Sequence, residues 1–241
     1  MSKSINTQEI EHFAKDSSHW WDESGPFAPL HKLNPVRLSY ICQQIRQHYG
    51  LNEKNDGQLN SLNILDIGCG GGLVCEPLAR LGASVSGVDA DKNAIHVASE
   101  HAQMNDLSIN YQCGSAEDIS KQYDVVLALE IIEHVDNVDH FVHKCVELTK
   151  PNGLIILSTL NRTLKSMALG IITAEYILNW VPKGTHQWKK FIKPSELAKY
   201  LRDSGALVND VSGLHYSPFA KEFCIDDKGL GVNYLITAEK K

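Results

Sequence analysis

The residues best suited to chemistry in this chain are a glycine-rich segment and an aspartate that follows it. Residues 65–72 have the sequence LDIGCGGG after a short apolar run, and Asp89 closes the next apolar run. Glycine lets the backbone turn tightly and approach a ligand, and a helix that starts after such a turn presents free N–H groups. A carboxylate one strand away can accept both hydroxyls of a ribose. The pattern predicts a pocket for an adenosine-containing cofactor.

Two details of this segment favour S-adenosylmethionine over a dinucleotide. Asp66 stands two residues before the first glycine, where dinucleotide folds usually carry an apolar residue, and its charge suits a cationic ligand better than a pyrophosphate. No phosphate-binding Lys-Ser or Lys-Thr pair follows Gly72. We therefore expect Asp66, Gly68, Gly70 and Asp89 to line the cofactor site. A tight turn capped by Asp66 is the purely structural alternative.

A second cluster of chemically active side chains follows the apolar run 123–129. Glu130, Glu133 and His134 fall at the carboxyl end of this predicted strand, where open α/β sheets bind ligands. Two carboxylates and an imidazole can ligate a magnesium ion. The alternatives are catalysis without a metal, with His134 as a general base beside Glu133, and a structural role in which the acidic residues favour a helix start.

Apolar runs and helical patterns alternate along the middle of the chain, which predicts an α/β fold with a doubly wound, mostly parallel sheet. N-terminal helices precede this sheet, with breaks at Gly25-Pro26 and Ala28-Pro29, and a helical segment is inserted late in the chain. We expect seven strands, the last two forming a closing pair of edge strands. The predicted strands are 62–67, 84–89, 109–113, 123–129, 154–159, 208–215 and 232–238.

The composition indicates one domain. A chain of 241 residues with 43% hydrophobic content can bury one substantial core. We divide it into an N-terminal helical cap (1–50), a cofactor-binding core (60–160), an insertion (161–193) and a closing helix with edge strands (194–241). The net charge of −6 argues against a nucleic-acid partner. Six scattered cysteines and a polar N-terminus favour a cytoplasmic location.

The insertion at 161–193 combines an apolar run with aromatic and cationic residues at its far end. This pattern suits peripheral contact with an anionic membrane surface, and the apolar run is too short to span a bilayer. A lid over the active site is the alternative, and one segment can do both. The residues in question are Met167, Ala168, Ile171, Ile172, Ile177, Leu178, Val181, Trp180, Trp188, Lys183, Lys189, Lys190 and Lys193.

Over residues 60–160 the order of these features resembles the class I S-adenosylmethionine-dependent methyltransferases. The resemblance includes the glycine segment, Asp89, and the sequence KPNGL at 150–154, which looks like a late turn of that family. A narrower resemblance, to the ubiquinone biosynthesis O-methyltransferase family, spans nearly the whole chain. Its motifs are SHWWD (18–22), LHKLNPVRL (30–38), EIIEHV (130–135), STLNR (158–162) and PKGTH (182–186).

The resemblance implies several cofactor-binding residues. It places Arg37, Gly68 and Asp89 on the cofactor, together with Leu129, where the family often has Met. Leucine has a similar volume and is apolar, so it can still pack against the ligand. Arg37 can pair with the carboxylate of the cofactor, or it can simply face solvent on a helix surface.

A further departure from the family pattern occurs at Ser115 and Ala116. Many relatives carry an acidic residue at the Ser115 position, where it accepts from the adenine amino group. A serine hydroxyl can accept one hydrogen bond there, without the added strength of a charge. We keep Ser115 and Ala116 as cofactor-binding candidates.

The resemblance also implies a substrate. Its members methylate phenolic hydroxyls of polyprenylated quinone precursors at two stages of ubiquinone synthesis, and some are magnesium-dependent. Other enzymes of that pathway are candidate partners. The alternatives are a class I methyltransferase for another small molecule, a scaffold that retains the cofactor fold, and an NAD-linked oxidoreductase. The last is disfavoured because no second substrate domain is evident.

Overall fold

The computed structural model describes residues 16–51, 58–167, 188–217, 222–226 and 229–241. Five helices of six residues or more lie within these ranges. They are α1 (Ala28–Tyr49), α2 (Cys75–Arg80), α3 (Lys92–Met104), α4 (Val138–Glu147) and α5 (Pro194–Asp203). Short 3-10 turns at Ser17–His19, Ala116–Asp118, Ile132–His134 and Trp188–Lys190, and one helical turn at Leu164–Ser166, complete the helical structure of these ranges.

The described strands form one sheet in the order β3-β2-β1-β4-β5-β8-β6-β7. The five strands from β3 to β5 pair in parallel, and β8 pairs antiparallel with both β5 and β6. This confirms the predicted doubly wound, mostly parallel sheet. The strands are β1 (Asn63–Ile67), β2 (Ser84–Asp89), β3 (Asn110–Cys113), β4 (Tyr123–Leu129), β5 (Thr149–Leu160), β6 (Ala206–Ser217), β7 (Glu222–Asp226) and β8 (Asn233–Lys240).

The end of the sheet differs from the prediction in two ways. The described strands number eight rather than seven, because β7 folds back on β6 as an antiparallel hairpin. The predicted strand at 232–238 is not at an edge, since β8 lies between β5 and β6 with partners on both sides. Its residues 233–238 are fully or nearly fully buried, which agrees with an internal position.

Of the two predicted helix breaks, Gly25-Pro26 lies before α1, as predicted, and only the break at Ala28-Pro29 is wrong. Helix α1 begins at Ala28 with Pro29 in its first turn, where proline is tolerated because the first backbone N–H groups have no helical partner. The predicted turn at 150–154 lies within the bounds of β5. The strand is irregular there, because Asn152 has a φ of +60° and the pairing with β4 passes from Thr149 directly to Leu154.

The sheet has a separate apolar core on each face. On one face, α1 and α2 cover Val125, Leu127 and Leu129 of β4. On the other face, α4 and α5 cover Val126 and Ala128 of the same strand. Because successive side chains of a strand point to opposite faces, a continuous apolar run is the expected sequence of a strand covered on both sides. Within the described residues, none of the helices is long and apolar enough to cross a membrane.

Candidate active site

The glycine segment forms a tight loop between β1 and α2. Gly68 and Gly70 have φ values of +76° and +52°, in the left-handed region that side chains rarely adopt. A Cβ atom on Gly68 would lie 2.5 Å from Cδ1 of Ile131, and one on Gly70 would lie 2.4 Å from the Trp20 ring. Neither position has room for a side chain. The loop is therefore a tight, closely packed turn, with Gly70, Gly71 and Gly72 buried.

Asp89 ends β2 and lies beside this loop. One of its carboxylate oxygens accepts the backbone N–H of Gly70 at 2.8 Å, and the other accepts the N–H of Asp91 at 2.9 Å. Burial raises the pKa of Asp89, and these two hydrogen bonds oppose the rise. The structure thus brings together the predicted loop and the predicted carboxylate.

Arg37 and Asp66 lie beneath the loop, each at most 5% exposed. Burial lowers the pKa of Arg37, while the charges of Glu130 and Asp66 oppose this change. Burial also raises the pKa of Asp66 to about 7, with the charge of Arg37 acting in the other direction. Arg37 donates to Asn34 Oδ1 at 3.0 Å, and its Nε has no hydrogen-bond partner among the described residues. Arg37 is not a surface residue, so the solvent-facing alternative is wrong.

Trp20 and Trp21 cover the glycine loop from outside, a relationship that the sequence does not reveal. Trp20 stacks on Phe27 with ring centroids 3.9 Å apart, and its side chain also lies against Gly70 and Gly71. The Trp21 indole N–H donates to the Gly71 carbonyl at 3.0 Å. Both tryptophans therefore fix the N-terminal segment against the loop.

Ser115, Ala116 and Leu129 lie where the sheet order places its carboxyl edge. Ser115 caps the 3-10 turn that follows β3, and its hydroxyl donates to Asp118 Oδ2 at 2.9 Å. Asp118 thus supplies a carboxylate beside Ser115, three residues later in the chain. Ala116 and Leu129 are buried and apolar.

Glu130 follows β4 with a φ of +55°, which is uncommon for a residue with a side chain. The Ser158 hydroxyl donates to Glu130 Oε1 at 2.7 Å, and the Asn233 amide nitrogen lies 3.0 Å from both carboxylate oxygens. The Glu130 backbone N–H donates to the Ser158 carbonyl at 3.1 Å. These contacts hold the residue in its unusual conformation.

Glu133 is 3% exposed and accepts a hydrogen bond from the Thr159 hydroxyl at 2.6 Å. Burial, helped by the charge of Glu130, raises the pKa of Glu133 to about 7, and the neighbouring His134 opposes the rise. His134 is half-buried on the same 3-10 turn. A carboxyl group with such a pKa can exchange protons near neutral pH.

The residues present do not make a magnesium site in this conformation. No group of three His, Cys, Asp or Glu side chains within the described ranges is arranged to hold a metal ion. Both Glu130 oxygens already accept from Ser158 or Asn233, and Glu133 accepts from Thr159. Glu130, Glu133 and His134 as magnesium ligands therefore stay a prediction, and we derive no step through a metal.

Proteins of known family match this chain over nearly its whole length. The ubiquinone biosynthesis O-methyltransferase of Bradyrhizobium diazoefficiens is 46% identical over 237 residues, which cover 98% of this chain and 93% of that protein. The protein of the same name from Chelativorans sp. is 44% identical over 239 residues, 98% of this chain and 94% of its own. This chain belongs to the ubiquinone biosynthesis O-methyltransferase family. A family model described as a methyltransferase domain also matches residues 65–157.

Solved structures agree on the fold of this O-methyltransferase family member. The magnesium protoporphyrin IX methyltransferase of Synechocystis PCC 6803, with bound SAH, has a TM-score of 0.66 at 18% identity. The match covers 98% of this chain and 96% of that one. A methyltransferase from Thermotoga maritima has a TM-score of 0.63 at 17% identity, covering 97% and 99%. At these identities the likeness concerns the fold alone.

Sequence reasoning missed the residues that hold the two glutamates. The sequence presents Ser158 and Thr159 only as part of a family motif and Asn233 only as part of a predicted edge strand, and it assigns a role to none of them. A signal was available, because all three are polar residues in otherwise apolar strands. Buried polar side chains in strands usually have a specific hydrogen-bond partner.

Proposed function

We propose that this chain transfers a methyl group from S-adenosylmethionine to phenolic hydroxyls of polyprenylated ubiquinone precursors. The substrates are demethylubiquinol and the earlier polyprenyl catechol or hydroxyphenol, so that one enzyme performs both O-methylation steps. The observation that carries this proposal is the 46% identity to a named relative over 98% of the chain. We also propose that the whole chain acts as one methyltransferase domain, with the divisions given above.

The cofactor residues fit S-adenosylmethionine. The positive φ values of Gly68 and Gly70 suit a turn that lies close to a ligand, Asp89 offers a carboxylate to ribose hydroxyls, and the unpaired Nε of the buried Arg37 suits a carboxylate. When bound, this cofactor supplies an electrophilic methyl group. The protein must hold a phenol oxygen in line behind the methyl carbon, and positioning of that kind supplies much of the rate.

The protein must also remove the phenol proton. We propose that His134 accepts the phenol proton. Glu133, which neighbours His134 in the chain, is the second group proposed to take part in the proton exchange. The raised pKa of Glu133, about 7, supports a role in proton exchange near neutral pH. Ser115, Ala116 and Leu129 are proposed to contact the adenine end of the cofactor, and Gly68 and Gly70 its methionyl end.

We keep the proposal of peripheral membrane contact through 161–193. Most of this segment lies outside the described residues. Where its start is described, Leu164 is 76% exposed and Met167 is 37% exposed, so apolar surface is available beside the site. A polyprenylated substrate resides in lipid, which gives such contact a purpose. Association with other enzymes of ubiquinone synthesis is a further proposal.

The test is methyl transfer from labelled S-adenosylmethionine to a short-chain demethylubiquinol, with magnesium and with a chelator. Turnover in both conditions supports the enzyme and a base mechanism. Turnover only with magnesium supports the enzyme and restores the metal hypothesis. Tight cofactor binding by calorimetry without turnover would favour another small-molecule substrate or a scaffold role, and no cofactor binding would overturn the proposal.

A further inference from the structure

A buried amide oxygen lies unused beside Glu130. Asn233 begins β8 and is 9% exposed. Its amide nitrogen donates to both oxygens of Glu130, which fixes the orientation of the side chain because a carboxylate accepts only from the amide nitrogen. The other atom of the amide, Oδ1, is buried and has no hydrogen-bond partner in the part of the chain that the structure describes.

Such an acceptor is costly in a protein. A buried carbonyl without a donor loses its hydration and gains nothing in return. Buried polar side-chain atoms in native proteins are therefore nearly always paired. The missing partner is a hydrogen-bond donor that the described protein does not provide.

The position of Asn233 in the sheet indicates that the missing donor does not belong to the adenosine part of the cofactor. Strands β4 and β5 lie between β1 and β8, and neighbouring strands are about 4.8 Å apart, so Asn233 is roughly 14 Å across the sheet from the glycine loop. Asp89 is one strand further away in the same direction. The adenosine part of the cofactor cannot occupy both places.

The same end of β8 adjoins the insertion. Asn233 pairs with Leu160, the last residue of β5. The next residue, Asn161, donates its backbone N–H to the carbonyl of Val232 at 2.8 Å. A ligand beside Asn233 thus lies between the carboxyl end of β4 and the point where the insertion leaves the sheet, which is where an acceptor substrate must be held.

We propose that Asn233 is a substrate-recognition residue whose Oδ1 accepts a hydrogen bond from the phenolic hydroxyl adjacent to the one that is methylated. This inference rests on the proposed function and assigns the residue that recognises the second hydroxyl of its catechol substrates. The Asn233 amide has two roles: its nitrogen and the Ser158 hydroxyl hold Glu130, and its oxygen selects the substrate.

The test compares a short-chain prenyl catechol with the matching monophenol, which lacks the neighbouring hydroxyl. A site that buries an acceptor rejects a ligand without the donor, so the wild type should prefer the catechol in kcat/KM by tenfold or more. Asn233→Leu should lose at least tenfold of this preference. Ser158→Ala is the matched control, because it removes a donor to Glu130 and leaves the Asn233 oxygen in place. It should lower both rates and keep the preference.

A second control addresses packing. Thr237→Val changes another buried polar residue on the same face of β8, whose hydroxyl bonds to Tyr40, and it should keep the preference as well. If Asn233→Leu does not fold, Asn233→Ser takes its place. An unchanged catechol preference in the Asn233 variant would overturn the inference. So would a loss of preference in Ser158→Ala equal to that in the Asn233 variant.

Failure of the proposed function is a separate outcome. If the wild type methylates neither phenol, calorimetry with the two phenols still tests Asn233. Tighter binding of the catechol by the wild type, lost in Asn233→Leu, would support recognition in a protein with another reaction. Equal binding of both phenols by the wild type would overturn it.

Discussion

Glu130 and Glu133 are three residues apart in the chain, yet their carboxylates are held on opposite faces of the sheet. Ser158 donates to Glu130 and Thr159 donates to Glu133. The two hydroxyls belong to successive residues of β5, and successive strand side chains point to opposite faces. Glu130 is therefore on the α1 face with Arg37, while Glu133 is on the α4 and α5 face. This separation explains why the two glutamates do not form a joint metal site in the described conformation.

Gly70→Ala should weaken S-adenosylmethionine binding at least tenfold. The new methyl group meets the Trp20 ring at 2.4 Å, and the φ of +52° strains any side chain. Calorimetric titration measures the effect. Gly50→Ala is the control, because its φ is +63° but a Cβ there meets nothing within 4 Å. It should cost about 1 kcal/mol of stability and leave cofactor affinity unchanged. Equal S-adenosylmethionine affinities in Gly70→Ala and Gly50→Ala would contradict the prediction that the glycine loop binds the cofactor.

Asp89→Asn should lower cofactor affinity by roughly tenfold or more, because a charge-assisted acceptor is stronger than a neutral one. The backbone N–H of Gly70 also loses its carboxylate partner. The matched control is Asp91→Asn, two residues away. Asp91 caps α3, and asparagine is an equally good cap, so folding and affinity should persist. Loss of affinity in the control alone would show that the carboxylate at 89 is not the ligand group.

Trp21→Phe should increase the dissociation rate of the cofactor with little change in overall stability. The substitution removes the N–H that donates to the Gly71 carbonyl, while the aromatic ring can still stack on His101, now 3.5 Å away between ring centroids. One neutral hydrogen bond contributes about 1 kcal/mol, which corresponds to roughly fivefold in rate. Stopped-flow displacement of the cofactor measures it. An unchanged dissociation rate would mean that the hydrogen bond from Trp21 does not restrain the glycine loop.

The stability of the ligand-free protein should fall as pH rises between about 4 and 7. The pKa of Asp66 is raised from 3.8 to about 7 in the folded state, so the folded protein binds this proton more tightly than the unfolded chain. The free energy of unfolding then decreases with pH in that window. Thermal unfolding of Asp66→Asn should show a weaker pH dependence, although Glu133 leaves a residual slope of the same sign.

The control for this prediction is Asp106→Asn. Asp106 is exposed and has a φ of +55°, a conformation that asparagine tolerates well. The control should reproduce the wild-type pH dependence of the melting temperature. A wild-type melting temperature that rises steadily from pH 4 to pH 7 would contradict the burial of an ionisable Asp66.

Local patterns predicted the part of the site that depends on adjacent residues. The glycine segment and Asp89 each follow an apolar strand, and the parallel order then brings the two strand ends together. The strand bounds 84–89 and 123–129 agree with the structure because each apolar run stops at an acidic residue, Asp89 at the end of β2 and Glu130 directly after β4. Family resemblance added Arg37, and only the structure shows that it is buried.

Long-range pairing accounts for what the sequence did not predict. Nothing in residues 233–240 states that this strand pairs with β5 on one side and β6 on the other. The bonds from Ser158 and Asn233 to Glu130 join segments that are 28 and 103 residues apart. The contact of Trp20 with Gly70 likewise joins residues that are far apart in the chain. Local propensity carries no information about such contacts.

The position of β8 also determines when the sheet can be completed during synthesis. Strand β6 has no described pairing to β5 and reaches the rest of the sheet only through β8, which follows it in the chain. Until residues 233–240 have left the ribosome, the apolar edge at Leu154–Leu157 lacks its partner and the β6-β7 hairpin has no strand to join. Unpaired apolar edges are prone to aggregation. Completion of the sheet therefore waits for β8, which joins β5 to β6.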